Sequence, residues 1–451
     1  MIVDDNLQGV ISSSMCIGCG ACEMADSSVK VTLNPTKLIY EPESPGGPDA
    51  AAVCPAVRVD FAGLQGRLFP DQEIGPYGVV DAVYLAQSTD VDRNVKASSG
   101  GLVKELLLEL MASGEVDGVI ALDHVAGVDF AGRIVTDPDE IDTLPGSIYH
   151  NLRQTPTLQL LAENPGRFVV VGIPCQLEGL FSYVFSRAPE LRQRIHTTIG
   201  LLCGWQYSHH SLRAMGQYLD FDPDEIEHVA YRGGGPVGKL SVTTADGRTH
   251  SASRRVSFGY QVAFDRHFNT PRCHLCVNHS NFLADIVVGD AWLPSTVFTK
   301  TGISLIICRK PSTKDLITGL ERRGRIVSYE ATTEEIRESQ TDRVIFGEFA
   351  YAYADYLDEI GMHRPDMDGP NKGHGRQRPR REAAKFHREL VRKQRLMWAG
   401  RYRLLLWRKA TLELRRFVAR YTRWFAVRIL RIKSLTGRRR EIPREQLAEF
   451  R

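Results

Sequence analysis

The 451-residue sequence predicts an α/β (α+β) fold with a small cysteine-rich module at its N-terminus and a basic helical tail at its C-terminus. Three observations predict it. From Val83 onward, strand-like apolar runs alternate with amphipathic helical stretches. Residues 1–78 instead lack helical periodicity and are rich in turns, with Pro42, Pro45, Gly46, Gly47 and Pro48 between two cysteine-bearing stretches. Charge also divides the chain: residues 372–451 hold 26 Lys and Arg against six Asp and Glu, whereas the remainder holds 31 against 48, although the whole nets only +3.

Composition narrows the class. With 43% hydrophobic and 25% charged residues the chain has apolar material for two or three packed domains and is not a disordered protein. It has no uninterrupted apolar stretch of about 18 residues, and Asp4 and Asp5 stand where a signal peptide would be basic. The expectation is a cytoplasmic protein that does not span a membrane. Nine cysteines, an odd number with several at two-residue gaps, argue for thiolate ligands in a reducing compartment rather than a disulfide framework.

In chain order, the module over 1–78 carries Cys16-Ile17-Gly18-Cys19-Gly20-Ala21-Cys22 and, about thirty residues on, Cys54-Pro55. Three close thiols plus a distant Cys-Pro match the ligand pattern of a ferredoxin-like 4Fe-4S module. Asp26 occupies the place where a two-cluster bacterial ferredoxin would put a fourth cysteine, so one cluster is expected here. Four-cysteine zinc is the alternative, disfavoured because zinc sites prefer two thiol pairs. The core is placed at 79–345. Ala97-Ser98-Ser99-Gly100-Gly101 opens a helix over Leu102 to Met111, a helix start that suits an anion. Tyr231-Arg232-Gly233-Gly234-Gly235-Pro236 reads either as a loop over a cofactor or as a hairpin connection. The strand runs of RFVVVGIPC and HTTIGLLCGW end at Cys175 and Cys203, and Cys273 and Cys276 follow in RCHLC. Four thiols make a second cluster feasible; spacing alone leaves open that Cys175 and Cys203 are buried core residues. Asp285 and Asp290 bracket a strand and read as caps on its ends, with orientation of a cofactor as the alternative. Cys308, in SLIICRK, reads as core. A composition shift near Gly369 places a linker at 346–371, ahead of the basic amphipathic tail at 372–451.

In order along the chain, CIGCGAC, ASSGGL, GSIY, GIPCQ, LLCG, RCHLC and ADIVVGDAW resemble the family of coenzyme F420 hydrogenase/dehydrogenase beta subunits, which includes plant 7-hydroxymethyl chlorophyll a reductase. The resemblance covers roughly residues 10–345. It implies an iron–sulfur flavoprotein oxidoreductase, with a second 4Fe-4S cluster on Cys175, Cys203, Cys273 and Cys276. It also implies FAD bound by Ser98, Ser99, Gly100, Gly101, Ser147 and Tyr149. Electrons would pass between an external one-electron donor, such as ferredoxin or a partner redox subunit, and a hydride-accepting organic substrate or the deazaflavin coenzyme F420. The rival reading is a non-catalytic electron-transfer or assembly subunit of a larger complex.

Ile148 stands where the family usually has Lys, which weakens the case for the deazaflavin. Tyr149 and His150 are the candidate catalytic groups. Tyr149 could stack or donate a hydrogen bond, and His150 reads either as a source of positive charge when protonated or as a solvated loop residue. His274, between two thiols, reads as a neighbour of the ligands rather than a ligand. Over residues 401–433 the apolar positions Leu414, Phe417, Val418, Tyr421 and Phe425 recur at three- and four-residue steps among arginines. That pattern suits docking on an anionic membrane surface, which would put the enzyme at the inner membrane face. The alternatives are packing on the acidic body or a partner-binding helix. No nucleic-acid partner is expected of a body with net charge −17.

Overall fold

The computed structural model describes residues 6–235, 238–254, 257–264, 267–296, 299, 301–341, 346–405 and 407. An eight-stranded mixed sheet organises the chain: β1 (Ala82–Ser88), β2 (Gly118–Ala126), β3 (Asp129–Val135), β4 (Phe168–Gly172), β5 (Ile195–Leu201), β6 (Ile286–Asp290), β7 (Ser304–Cys308) and β8 (Ile326–Ala331). Their spatial order is β8-β1-β7-β6-β5-β4-β2-β3. The four central strands β2, β4, β5 and β6 run parallel, and antiparallel strands extend both edges.

Both faces of the sheet are covered, which is why its central strands read as continuous apolar runs. In β7 all five residues are buried; Leu305 and Ile307 face one core, Ile306 and Cys308 the other. Helix α1 (Leu102–Ala112) covers the second face with Leu102, Leu106, Leu107 and Leu110, spaced for one helical stripe. Helices α2 (Thr155–Glu163) and α3 (Pro174–Arg187) cover the first face. The N-terminal cysteine segment shares that core: Leu7, Val10, Phe61 and Phe69 belong to the same buried cluster as Phe181 and Val287. A three-stranded sheet, Ile226–Ala230, Lys239–Thr244 and Thr249–Ser253, closes a third core together with helix α4 (His210–Leu219).

The stretch expected as a linker holds helix α5 (Glu348–Glu359) and the short strand Asp366–Met367, which pairs with Arg58–Val59. Ala350, Tyr353, Ala354 and Leu357 form the buried stripe of α5. Helix α6 (Arg380–Trp398) lays Phe386 against His274, Phe349 and Tyr353, with ring centroids 4.8–5.2 Å apart. Arg378 and Arg380 meet Glu348 and Glu359 of α5. Residues 1–400 form one compact unit and 401–451 a second, nearly all of which lies outside the described residues. So do Leu414, Phe417, Val418, Tyr421 and Phe425. Among the described residues, no helix is long and apolar enough to cross a membrane.

Candidate functional site

The carboxyl ends of parallel strands in an open α/β sheet leave a crevice where ligands bind. Here the ends of β4, β5 and β6 line a cleft of about 270 Å³, walled by the α1 start and by residues 144–152. Ser98, Ser99, Gly101, Ser147, Tyr149 and His150 all line it, and Cys203 opens onto the same space.

Gly101 caps α1 in the left-handed conformation at φ +80°, which turns the chain sharply into the helix. The Ser98 hydroxyl accepts from the Ser147 backbone N–H at 3.1 Å and the Ser147 hydroxyl at 2.8 Å, pinning the two cleft walls together. The Ser99 hydroxyl is committed to Ile303 O and the Ser304 hydroxyl, each at 3.0 Å. Gly100 does not line the cleft. A Cβ there would lie 2.6 Å from Ala86 O and 2.9 Å from Ser304 N, so this glycine serves close packing of the turn on β1 and β7.

The expectations for His150 need correcting. Its side chain is buried rather than solvated, and burial, followed by the neighbouring His209, lowers its pKa well below 6.5, so it is neutral rather than a positive charge. Val128 O can only accept, so the 2.7 Å contact to Nε2 puts the proton there, and Nδ1 accepts from the Tyr231 hydroxyl. His209 and His210 are likewise buried with lowered pKa values, that of His210 to about 4. The unfolded chain therefore binds more protons than the fold once pH drops below about 6.5, so stability is complete above that value and is lost on acidification toward the folded pKa values. Urea midpoints should be flat from pH 7 to 8 and fall from pH 6.5 to 5, and His210→Gln should make that fall shallower.

Positive charge comes from two residues that sequence reasoning did not assign. Arg232 leaves the glycine stretch 231–235, is buried, and donates to Tyr149 Oη at 3.2 Å and to both carboxylate oxygens of Asp290 at 3.0 and 3.1 Å, as well as to Ser98 O. Asp290 thus anchors a cation at the end of β6. Lys104, on the first turn of α1, lines the cleft with its amine on Asp142 O at 2.7 Å; burial lowers its pKa. Ile148 lies in the cleft wall against the third core. A cation beside a run of glycines and a lysine just inside a helix start were the available signals. Asp285, at the other strand end, has a structural role as expected, but it ties β6 to β5 rather than capping a turn: it accepts from Thr198 N at 2.8 Å and Oγ1 at 3.0 Å and pairs with Lys310.

All nine cysteines are free, and the eight named ones fall into two electrostatically coupled sets, Cys16, Cys19, Cys22 and Cys54 in one and Cys175, Cys203, Cys273 and Cys276 in the other. Cys175 sits in the first turn of α3 after Pro174, Cys203 just past β5, and Cys273 and Cys276 on and after the turn Pro271–Leu275. Burial raises the Cys175 thiol's pKa, and the charges of Cys203, Cys273 and Cys276 raise it further. The Gln206 N–H donates to Cys273 Sγ at 3.2 Å. In the other set, Cys16, Cys19, Cys22 and Cys54 are each at most 7% exposed; burial is the first cause of each raised pKa, and Cys54 raises those of Cys16, Cys19 and Cys22 further. Gly18 and Gly20, at φ +71° and +78°, wrap this loop onto Leu152 and Thr155. The Gly18 N–H donates to Cys16 Sγ at 3.4 Å.

These donor sets fit iron–sulfur clusters: four buried thiols in the first set and four partly buried ones in the second, with a backbone N–H group aimed at sulfur in each. Among the described residues no group of three or more His, Cys, Asp or Glu side chains is placed to hold a metal ion directly. Helix α3 joins the sets, because it carries Cys175 in its first turn and, one turn on, Gly179 meets Cys19: a Cβ on Gly179 would lie 2.8 Å from Cys19 Sγ. A smaller cleft on Cys273 and Cys276 is walled by Trp205, Phe349 and Phe386.

Comparison with known proteins adds the family. Residues 83–161 match the family model for the N-terminal part of the coenzyme F420 hydrogenase/dehydrogenase beta subunit, and residues 166–334 match that for its C terminus. A subunit of the F(420)H(2) dehydrogenase of Methanosarcina mazei is 23% identical over 314 residues, covering 65% of this chain and 81% of that one. The beta subunit of the coenzyme F420 hydrogenase of Methanococcus voltae is 23% identical over 236 residues, 50% of this chain and 79% of that one. The coenzyme F420-dependent sulfite reductase of Methanocaldococcus jannaschii is 23% identical over 335 residues, 70% of this chain and 47% of that one. A chain of the F420-reducing [NiFe] hydrogenase complex from Methanosarcina barkeri shares the fold, with a TM-score of 0.51, 17% identity, and coverage of 66% of this chain and 99% of that one. With most of the sheet and its cleft inside the matched segments, the chain belongs to the family of coenzyme F420 hydrogenase/dehydrogenase beta subunits, which are redox subunits.

Proposed function

We propose that the chain is an iron–sulfur flavoprotein oxidoreductase. In this reading Cys16, Cys19, Cys22 and Cys54 hold one 4Fe-4S cluster, Cys175, Cys203, Cys273 and Cys276 hold a second, and FAD occupies the cleft. The observation that carries it is Cys203, a member of the second thiol set that lines the cleft where Ser98, Gly101, Ser147 and Tyr149 converge. Flavin supplies the exchange between one-electron and hydride chemistry that connects clusters to an organic substrate or a deazaflavin.

The chain's own residues bind, orient and exclude water. The start of α1 offers backbone N–H groups and a positive dipole end to phosphate, and Lys104 and Arg232 add charge where Ile148 supplies none. Neutral His150, its proton held on Nε2 by Val128, contributes a fixed dipole instead of a third cation. Leu107, Leu122, Val171 and Val288 give the cleft apolar walls. The partner is a one-electron donor, either ferredoxin or a redox subunit; the M. mazei and M. voltae relatives are themselves named as subunits.

The test is an anaerobic visible spectrum of the purified chain with its extracted cofactor identified, repeated on Lys104→Glu. The wild-type chain should release FAD, and the variant should retain several-fold less while keeping its iron. A chain with iron but no flavin would leave non-catalytic electron transfer within a larger complex as the function.

A further inference from the structure

The two thiol sets meet across an ion pair that the chemistry described so far does not use. Glu178 and Arg272 are both buried, with side chains 1% and 3% exposed, and Arg272 Nη2 lies 3.5 Å from Glu178 Oε2. Asn278 Nδ2 donates to Glu178 Oε1 at 2.9 Å, and Arg272 Nη2 also reaches Pro55 O at 3.4 Å. The pair thus joins α3, which carries Cys175, to the segment of Cys273 and Cys276 and to the residue after Cys54. Glu178 stands one turn after Cys175 and next to Gly179, which packs on Cys19. Arg272 precedes Cys273 and contacts the residue after Cys54.

A buried ion pair is weak grounds for stability, since desolvation offsets most of the attraction. Its position between redox centres gives it another consequence. Electron transfer between two four-thiolate centres moves one unit of charge and no atoms, so fixed charges nearby set the potentials of both. The surroundings of the pair are unequal. Glu178 stands on the helix of Cys175, and its partners Arg272 and Asn278 flank Cys273 and Cys276, whereas the first set reaches the pair only through Gly179, packed on Cys19, and Pro55, next to Cys54.

We propose that Glu178, clamped by Arg272 and Asn278, is a positioning residue that holds the second cluster's potential down relative to the first and so sets the direction in which electrons fall between them. The inference rests on the two-cluster reading above. A negative charge beside a centre that gains an electron opposes its reduction, and removing it while keeping the side chain's shape should raise the potential.

The test is an anaerobic redox titration followed by electron paramagnetic resonance, on the full-length chain after its iron has been counted. In Glu178→Gln both potentials should rise, that of the second cluster more, by about a tenfold change in its reduction equilibrium, or about 59 mV for a one-electron couple. Glu178→Asp, which keeps the charge, should restore the wild-type gap, and Arg272→Gln should move both potentials down. Full iron content with an unchanged gap in Glu178→Gln overturns the proposal. If Glu178→Gln does not hold iron, Arg272→Gln decides; no downward shift in that variant, or loss of iron in both, reduces the pair to a folding element and overturns the claim. A wild-type chain holding four irons or fewer fails the underlying two-cluster reading instead, and does so before any variant is made.

Discussion

Arg309→Met is expected to lower the free energy of unfolding by about 3–5 kcal/mol, the usual cost of removing one partner from a buried, charge-assisted network. Arg309 is 0% exposed and follows directly on β7. Its guanidinium donates to the carbonyls of Tyr77 at 2.9 Å, Ser280 at 2.6 Å and Asn281 at 3.2 Å, and to that of Val79. Tyr77 and Val79 lie on the stretch that links the N-terminal cysteine region to β1, and Ser280 and Asn281 lie between Cys276 and β6. One cation therefore staples both cysteine-bearing regions to the sheet. A methionine fills a similar volume but strands four buried carbonyls, each costing about 1–3 kcal/mol if left unsatisfied, less whatever relaxation recovers. Urea denaturation at pH 7.5 checks this; a change below about 1 kcal/mol would mean that these carbonyls find other donors.

Gly18→Ala should remove the first thiol set as a binding site while leaving the second intact. The Cβ would fall 2.0 Å from Leu152 O, a backbone atom that cannot swing aside. The φ of +71° adds about 1–2 kcal/mol for any residue with a side chain. Gln154 N donates to Gly18 O at 2.8 Å, so lifting the loop also breaks its attachment to α2. The expected result is about half the wild-type iron with the cleft cofactor retained. Undiminished iron would show that the loop relaxes around the methyl group.

Much of this architecture was legible locally. RFVVVGIPC reads as a buried strand entering a turn because four apolar residues precede Gly172 and Pro174, and it folds as β4 running into α3. SLIICRK reads as core because a strand covered on both faces has no polar alternate positions, and Cys308 is 0% exposed. What escaped depended on distant segments. His150 looked solvated because nothing next to it in sequence shows that Tyr231, Val128 and His209 close over it. The role of Arg309 is not legible locally, since its four carbonyls arrive from residues 77–79 and 280–281. Helix α5 was hidden by the shift in composition at Gly369, although Ala350, Tyr353, Ala354 and Leu357 keep the i, i+3, i+4, i+7 spacing of a buried face. Arg232 was visible only as part of a glycine-rich stretch; its pairing with Asp290 spans 58 residues.

The measurement that tests the account most directly is the iron, acid-labile sulfide and flavin content of anaerobically purified full-length protein, with Cys19→Ala and Cys203→Ala beside it. The account predicts about eight iron, eight sulfide and one FAD per chain, with about half the metal lost in either variant. Zinc in place of iron, or a metal content that neither substitution changes, would contradict it.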